Sequence, residues 1–377
     1  MLRKLISLAL SVLMVTSLTL STPVLARDVD LQTPAVIRWA TVLCRFADSR
    51  DVPHDQSYYA DLMKDEFPGI EHYWEDVSYG RIDFVAPTPR GWYELPRGRA
   101  YYTANEPWEV PERALRDCLK KAEANLYMPL YEGVNLWFSG ALTNRGWGVR
   151  RPFQLDDRSK VYGVTIMSEP TTWTTDNTAP QGILAHEMGH GLGLQHSGGG
   201  PHEEFSSYWD VMSSIGTQCG YQNLPEFSCI PVHPIAFQKR RLGWIHDEEV
   251  VTVRPGQEKV FYLKPLSQPA LDGLFMAKVP LHGDIPGYLT VEARTPTGYD
   301  EHTLGEAVIL HRWNPRATQA TGDHPYLVGR TYRDGSADWS GEMWVAGETY
   351  EHRQTGIKVS ILSRTDDGRF AVRITSP

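Results

Sequence analysis

The alternation of apolar and polar residues predicts a sheet with helices in the first part of the chain. From Ala35 to Ser168, short apolar runs typical of buried strands alternate with longer stretches of helical periodicity. The predicted strands are Ala35–Phe46, Arg81–Ala86, Val134–Gly140 and Val161–Ser168, and the predicted helices are Gln56–Asp76 (one or two helices), Val110–Asn125 and one that begins near Thr178 with Pro180 in its first turn. This order predicts an α/β (α+β) domain in which a mixed sheet packs against helices.

Beyond Asp247 the pattern changes to β. Short segments alternate or run apolar between Gly, Pro and Asp turns, as in a small sandwich or barrel. The predicted strands are Val250–Val253, Glu258–Leu263, Gly287–Ala293, Ala307–Trp313, Ile357–Leu362 and Arg369–Ile374. Because 377 residues exceed one comfortable core, we expect two domains, residues 27–247 and an all-β accessory domain of residues 248–377.

The N-terminus carries the pattern of a secretory signal peptide. Arg3 and Lys4 precede the apolar run Leu5–Leu20, and Ala26 closes a short stretch typical of a cleavage site. A run of about 16 apolar residues is short for a retained membrane anchor. We therefore expect residues 1–26 to be removed, leaving a secreted, extracellular protein without a membrane span.

Charge and cysteine content narrow the class of protein. Loss of residues 1–26 removes two of the 37 Lys and Arg residues and none of the 46 Asp and Glu residues, which leaves a formal net charge of −11. No basic run is present, which argues against nucleic acid and anionic membranes as partners. Four cysteines, an even number, suit an oxidising compartment. Three pairings are possible; we favour Cys44 with Cys118, tying the first strand to a helix, and Cys219 with Cys229 in a short loop.

One segment, residues 186–196, has the spacing of a catalytic zinc site. His186 and His190 are four residues apart, so on a helix both rings point to the same side. Gly193 can end the helix at positive φ and turn the chain so that His196 reaches the same metal. Glu187 is placed beside the metal without being a ligand, where it can accept a proton as a general base. Histidines that are merely surface or core residues of an ordinary helix are a less favoured interpretation. A structural zinc site or a catalytically inactive relative is also less favoured, because Glu187 is present and three protein ligands leave a fourth position open for water.

This pattern resembles the metzincin metalloproteases, whose zinc helix is followed by a turn with a methionine beneath the metal. Met212 lies sixteen residues after His196 and matches that methionine; the resemblance implies that it forms an apolar floor under the histidines. Some metzincins carry a tyrosine two residues beyond the methionine that reaches the zinc. Ser214 stands there in this chain, so a tyrosyl ligand is not expected.

Two further stretches resemble the immune inhibitor A family of secreted bacterial metalloproteases. One lies upstream, where a helix and a Ser-Tyr-Gly turn lead into a strand; the other lies downstream, where a Glu-x-Arg strand leads through Gly-x-Asp to a strand that ends in His. The matching segments are Glu71–Asp83, Tyr288–Arg294, Gly298–Asp300 and Gly305–Arg312. The resemblance implies a metzincin-like catalytic domain followed by a sandwich-like β-domain, with His186, His190 and His196 as zinc ligands and Glu187 as base.

The sequence thus predicts a secreted zinc endopeptidase that hydrolyses protein or peptide substrates. The alternatives are a zinc hydrolase of a non-protein amide and a binding or adhesion protein on an inactive protease scaffold. An extended substrate is expected to pair with an edge strand, for which Val161–Ser168 is the candidate. The residue pattern leaves an ordinary internal strand equally open.

Three weaker signals concern other ligands. Asp48, Asp51 and Asp55 offer oxygen ligands for a structural Ca²⁺, although their spacing matches no EF-hand and solvated acids are the simpler interpretation. His202 follows a Gly-rich loop and is expected to be solvated rather than to bind metal. The C-terminal β-domain could bind surface glycans.

Overall fold

A computed structural model of the protein describes residues 34–50, 52–103, 111–142, 146–155, 158–168, 180–213, 230–317, 324–329 and 342–377. The predicted signal peptide lies outside these residues and stays a prediction. Among the described helices, none is both long and apolar enough to cross a membrane.

The first sheet has six strands and is parallel except at one edge. Its strands are β1 Ala35–Arg45, β2 Ile82–Val85, β3 Arg90–Glu94, β4 Gly133–Phe138, β5 Trp147–Leu155 and β6 Arg158–Ser168. The order is β2-β1-β4-β6-β5, and β3 also pairs with β1, alongside its second half. Only β5 runs antiparallel to its neighbour, β6. Both faces of the sheet are covered at its centre, so strand β4 and most of strand β1 are apolar and buried.

The described part of the chain contains six α-helices: α1 Gln56–Met63, α2 Ile70–Val77, α3 Arg99–Tyr102, α4 Glu112–Ala122, α5 Pro180–Leu192 and α6 Ala236–Arg241. The side chains of alternate β1 residues pack into two separate hydrophobic cores. Trp39 and Leu43 pack with α1, α2 and α5, whereas Val42 and Cys44 pack with α4. The period of two along a strand thus divides the helices between the two faces of the sheet.

A disulfide joins Cys44 on β1 to Cys118 on α4, with Cα atoms 5.9 Å apart. Both residues are fully buried. This confirms the predicted tie between the first strand and a helix. The predicted Cys219–Cys229 pair lies outside the described residues.

The C-terminal part contributes two sheets. One is antiparallel, with β10 Gln257–Leu263, β15 Thr349–His352, β16 Ile357–Arg364 and β17 Phe370–Ser376 in the order β10-β17-β16-β15. The other has seven strands in the order β8-β7-β14-β13-β12-β11-β9, namely β7 Gly198–Gly200, β8 Glu203–Glu204, β9 Val250–Thr252, β11 Met276–Pro280, β12 Tyr288–Arg294, β13 Ala307–Trp313 and β14 Tyr326–Leu327. Two of its strands, β7 and β8, precede residue 247, where we predict the domain boundary. That boundary stays a prediction.

The seven-stranded sheet is buried on both faces around β12. Leu289, Val291 and Ala293 belong to the apolar core that also holds buried residues of the antiparallel sheet. The intervening residues Glu292 and Arg294 are also fully buried, although they are charged. Their side chains contact residues of the first 247, as described below.

Comparison with the predicted elements confirms the mixed α/β class, and every strand and helix predicted from Ala35 onwards is present within a few residues among the described parts. Among the described elements, seven strands and two α-helices were not predicted: β3, β5, β7, β8, β11, β14, β15, α3 and α6. The candidate substrate strand Val161–Ser168 is wrong as an edge. It lies within β6, which pairs with β4 on one side and β5 on the other, so its main-chain groups are already used.

Candidate metal centre

Helix α5 carries the first two predicted ligands and packs unusually close to the sheet. A Cβ atom on Gly148 of β5 would lie 2.1 Å from the main-chain oxygen of Glu187, and one on Gly191 would lie 3.1 Å from Cα of Gly163 on β6. Only glycine permits such backbone approaches. Arg150 of β5 donates to the Gly191 carbonyl at 3.2 Å. The helix is thereby held against the antiparallel edge of the sheet.

The helix ends where the sequence predicts. Gly193 adopts φ +103°, its N–H donates to the His190 carbonyl, and the N–H of Leu194 donates to the carbonyl of Gly189. This is a Schellman arrangement, which reverses the chain at a residue without Cβ. The chain that follows brings His196 back to the helix.

Three imidazoles converge on one point. Nε2 of His190 lies 3.2 Å from Nε2 of His186 and 2.8 Å from Nε2 of His196. Tetrahedral zinc with Zn–N bonds of about 2.0–2.1 Å would hold such nitrogens roughly 3.3 Å apart. Among the residues that the structure describes, these histidines form the one group of three or more side chains able to share a metal ion.

Hydrogen bonds at the opposite ring nitrogens fix the tautomers. Nδ1 of His186 lies 2.8 Å from the Val211 carbonyl, and Nδ1 of His190 lies 3.1 Å from the Leu194 carbonyl. A carbonyl can only accept, so both Nδ1 atoms carry the proton and donate it. Nδ1 of His196 likewise donates to the Glu204 carboxylate at 2.6 Å. All three Nε2 atoms therefore present lone pairs to one another, an arrangement that a cation relieves.

Burial keeps the rings of His186 and His190 neutral. Loss of solvent lowers the pKa of His186 well below its usual value, and it lowers the pKa of His190 to about 4, with the neighbouring imidazoles adding to both effects. The hydrogen bond from His196 lowers the pKa of Glu204. Neutral imidazoles beside an ionised carboxylate are the form that binds a divalent metal.

Met212 lies beneath the helix between the two helical ligands. It is fully buried, and a Cβ on Gly189 would lie 2.3 Å from its sulfur. Its main chain is fixed as well, because its N–H donates to Asp210 and its carbonyl accepts from Ser197. Its role as a floor beneath a metal stays a prediction, and Ser214 lies outside the described residues.

Glu187 lies on the side of the helix that faces the beginning of β5. Its Cγ and Oε1 would both lie 2.8 Å from a Cβ on Gly146. The side chain is half-buried. The side chain of Glu187 fits there because Gly146 has no side chain.

The other predicted ligands are not brought together. Asp48 accepts from the N–H of Arg99, and Asp55 caps α1 by accepting from Ser57 and Tyr58. Asp51 lies outside the described residues, and the calcium site stays a prediction. His202 is exposed in the turn between β7 and β8, away from the three converging rings.

Sequence reasoning missed Glu204, Val211 and strand β5 as parts of the site. Nothing in a single sequence marks Val211, because its contribution is a main-chain carbonyl. Pro152 is a signal for β5, since proline in a strand is tolerated at an edge.

No protein-family model matches the chain, and no curated protein is significantly similar to it.

Proposed function

We propose that this chain is a zinc-dependent endopeptidase in which His186, His190 and His196 hold the metal and Glu187 is the general base. The convergence of three Nε2 lone pairs, each fixed by a hydrogen bond at the opposite ring nitrogen, carries the proposal. Imidazole donors also suit copper, iron and nickel. Zinc is favoured by the resemblance to metzincins and by the adjacent carboxylate.

The number of protein ligands, three, favours a catalytic zinc site over a structural one. Structural zinc is usually held by four protein ligands, whereas catalytic zinc keeps an open position. Bound zinc would supply Lewis acidity toward a carbonyl oxygen and acidify water. The side chain of Glu187, on the next residue after a ligand, would take the proton from the attacking water and pass it to the departing amine.

Strand β5 is the place for an extended substrate. It is the terminal strand of its sheet, and none of the described strands pairs with its outer edge. Gly148, near the beginning of the strand, and Gly146, just before it, lie against Glu187. A peptide that pairs with this edge through main-chain hydrogen bonds would therefore have its scissile bond near the base.

The decisive experiment compares cleavage and metal binding in one variant. Purified mature protein loaded with zinc should cleave an unfolded protein such as casein, and 1,10-phenanthroline should stop it. Glu187→Gln should lower the rate about 10²–10⁴-fold, the usual contribution of a general base, without loss of bound zinc. Glu203→Gln, which removes an exposed carboxylate near the site, is the matched control and should stay active.

Each remaining outcome points elsewhere. Cleavage that survives Glu187→Gln refutes the proposed mechanism. Zinc binding without hydrolysis of any protein, but with hydrolysis of small amides, would favour the non-protein amidase. Partner or glycan binding that is equal in wild type and Glu187→Gln, without any turnover, would favour an adhesion protein on an inactive scaffold.

Export is part of the proposal. The buried Cys44–Cys118 disulfide supports an oxidising compartment. N-terminal sequencing of the protein recovered from culture medium should begin at residue 27.

A further inference from the structure

The Glu-x-Arg and Gly-x-Asp patterns of the sequence form one buried ionic cluster. Arg294 donates to Glu292 at 3.0 Å and to Asp300 at 2.7 Å. All three side chains are fully buried. We call these three residues the Arg294 cluster. Fully buried charges are costly to desolvate, so their presence on a sheet face that could hold apolar side chains requires a reason.

The cluster binds main-chain groups from the metal-binding part of the chain. Arg294 donates to the carbonyl of Trp209 at 2.8 Å. Asp300 accepts from the N–H of His233 at 3.0 Å, and Glu292 accepts from the N–H of Ala236 at 2.7 Å. The cluster therefore holds two segments that lie on either side of residues 214–229.

The first of these segments supports a metal ligand. Two residues after Trp209, the carbonyl of Val211 accepts the hydrogen bond that fixes the His186 ring. Between them, the Asp210 carboxylate accepts from the N–H of Met212 at 3.1 Å and from the N–H of Ile235 at 3.3 Å. Residues 209–213 thus form a turn held from the C-terminal sheet on one side and from His186 on the other.

We propose that Arg294 is a positioning residue of the metal centre: its hydrogen bond to the Trp209 carbonyl fixes the 209–213 turn and, through the Val211 carbonyl, the orientation of His186. The inference rests on the proposed metal site, but not on the identity of the substrate. A guanidinium suits the role because its planar fork reaches Glu292, Asp300 and the carbonyl at once. Lysine keeps the charge but has no such fork.

The test measures zinc affinity rather than activity. Arg294→Lys should weaken zinc binding about tenfold, the lower end of the effect expected for groups that orient a ligand. Its Co²⁺-loaded form should show a shifted visible spectrum, because the His186 ring is no longer held. Leu289→Ala is the control. It lies on the same strand and faces the apolar core, so the change to Ala should lower the midpoint of unfolding while leaving zinc affinity unchanged.

A second variant keeps the test decisive if Arg294→Lys fails to fold. The triple change Glu292→Gln, Arg294→Met and Asp300→Asn removes all three charges of the cluster together, so that none of them is left without its partner. The side-chain carbonyls at positions 292 and 300 can still accept from Ala236 and His233, so the links lost to the metal-binding part are those from Arg294 to the carbonyls of Trp209 and His233. This variant should also bind zinc about tenfold more weakly than wild type.

The outcomes separate the two proposals. Absence of zinc binding by wild type would refute the proposed function itself. Wild-type zinc affinity and an unchanged cobalt spectrum in the folded Arg294 variants would overturn the positioning role. Equal weakening by Leu289→Ala would overturn it too, since the effect would then follow general stability.

Discussion

The hydrogen bond from His196 to Glu204 offers the sharpest quantitative prediction. Its 2.6 Å length lies at the short end for a charge-assisted bond, and both side chains are partly exposed, at 30% and 39%. Glu204→Gln removes the charge and keeps an oxygen that can accept. Bonds to charged groups are worth about 1.5–3 kcal/mol and neutral ones about 0.5–1.5, so we expect a loss of about 1–2 kcal/mol. At 1.4 kcal/mol per factor of ten, this corresponds to zinc binding weakened roughly 5- to 30-fold.

The assay is competition with a chromophoric chelator at fixed pH and ionic strength. Glu203→Gln removes the same charge from the neighbouring residue, whose side chain lies by Gly199 and Gly200 and makes no bond to His196. It should change the zinc Kd by less than about twofold, because exposed charges are screened. At saturating zinc, Glu204→Gln should retain most of its peptidase activity, since Glu204 orients a ligand and does not touch substrate.

Two results would refute this reasoning. If Glu204→Gln binds zinc as tightly as wild type, the hydrogen bond does not orient His196. If both variants weaken binding equally, the effect comes from the net charge near the site and not from the bond.

Three further predictions concern the disulfide, the strand–helix contact and pH. Replacing Cys44 and Cys118 together by Ala should lower the free energy of unfolding by about 4 kcal/mol, because the bond closes a loop with a sequence separation of 74; an unchanged midpoint in urea would contradict this. Gly148→Ala, whose Cβ would lie 2.1 Å from the Glu187 carbonyl, should lower kcat by at least about tenfold, whereas Gly140→Ala, with its nearest atom at 3.4 Å, should not. The metal-free protein should lose stability as pH falls from 6.5 to about 4, since unfolded His190 binds a proton over that range and the folded form does not; His190→Gln should flatten that slope in thermal unfolding.

The convergence of the three histidines was predictable from the sequence because they are close together in it. Three histidines and a glycine within eleven residues define a helix, its end and the returning chain, and each step follows from backbone geometry. Met212 was predictable only through a family resemblance. Glu204 was not, because its role depends on the β7–β8 hairpin, whose strands have two and three residues.

Strands that are clear apolar runs were predictable from the sequence, whereas strands that mix apolar and charged residues were not. Strand β5 contains two arginines and a proline, so its pattern does not alternate, and the clearer apolar run Val161–Ser168 becomes the edge candidate with an internal strand equally open. Strand β12 alternates, but both of its faces are buried, one by apolar residues and the other by the Arg294 cluster. A single sequence cannot distinguish a charged face toward solvent from a charged face toward another part of the chain.

The hydrogen-bond acceptors that orient the three imidazole rings come from different parts of the fold. The Leu194 carbonyl that holds His190 belongs to the end of the helix itself. Glu204, which holds His196, lies on β8, and its partner β7 pairs with β14 of the C-terminal part. The Val211 carbonyl, which holds His186, lies in the turn that Arg294 binds. Two of the three ligands are therefore oriented by chain segments attached to the seven-stranded sheet, so the C-terminal strands belong to the scaffold of the site as much as the helix that carries the motif.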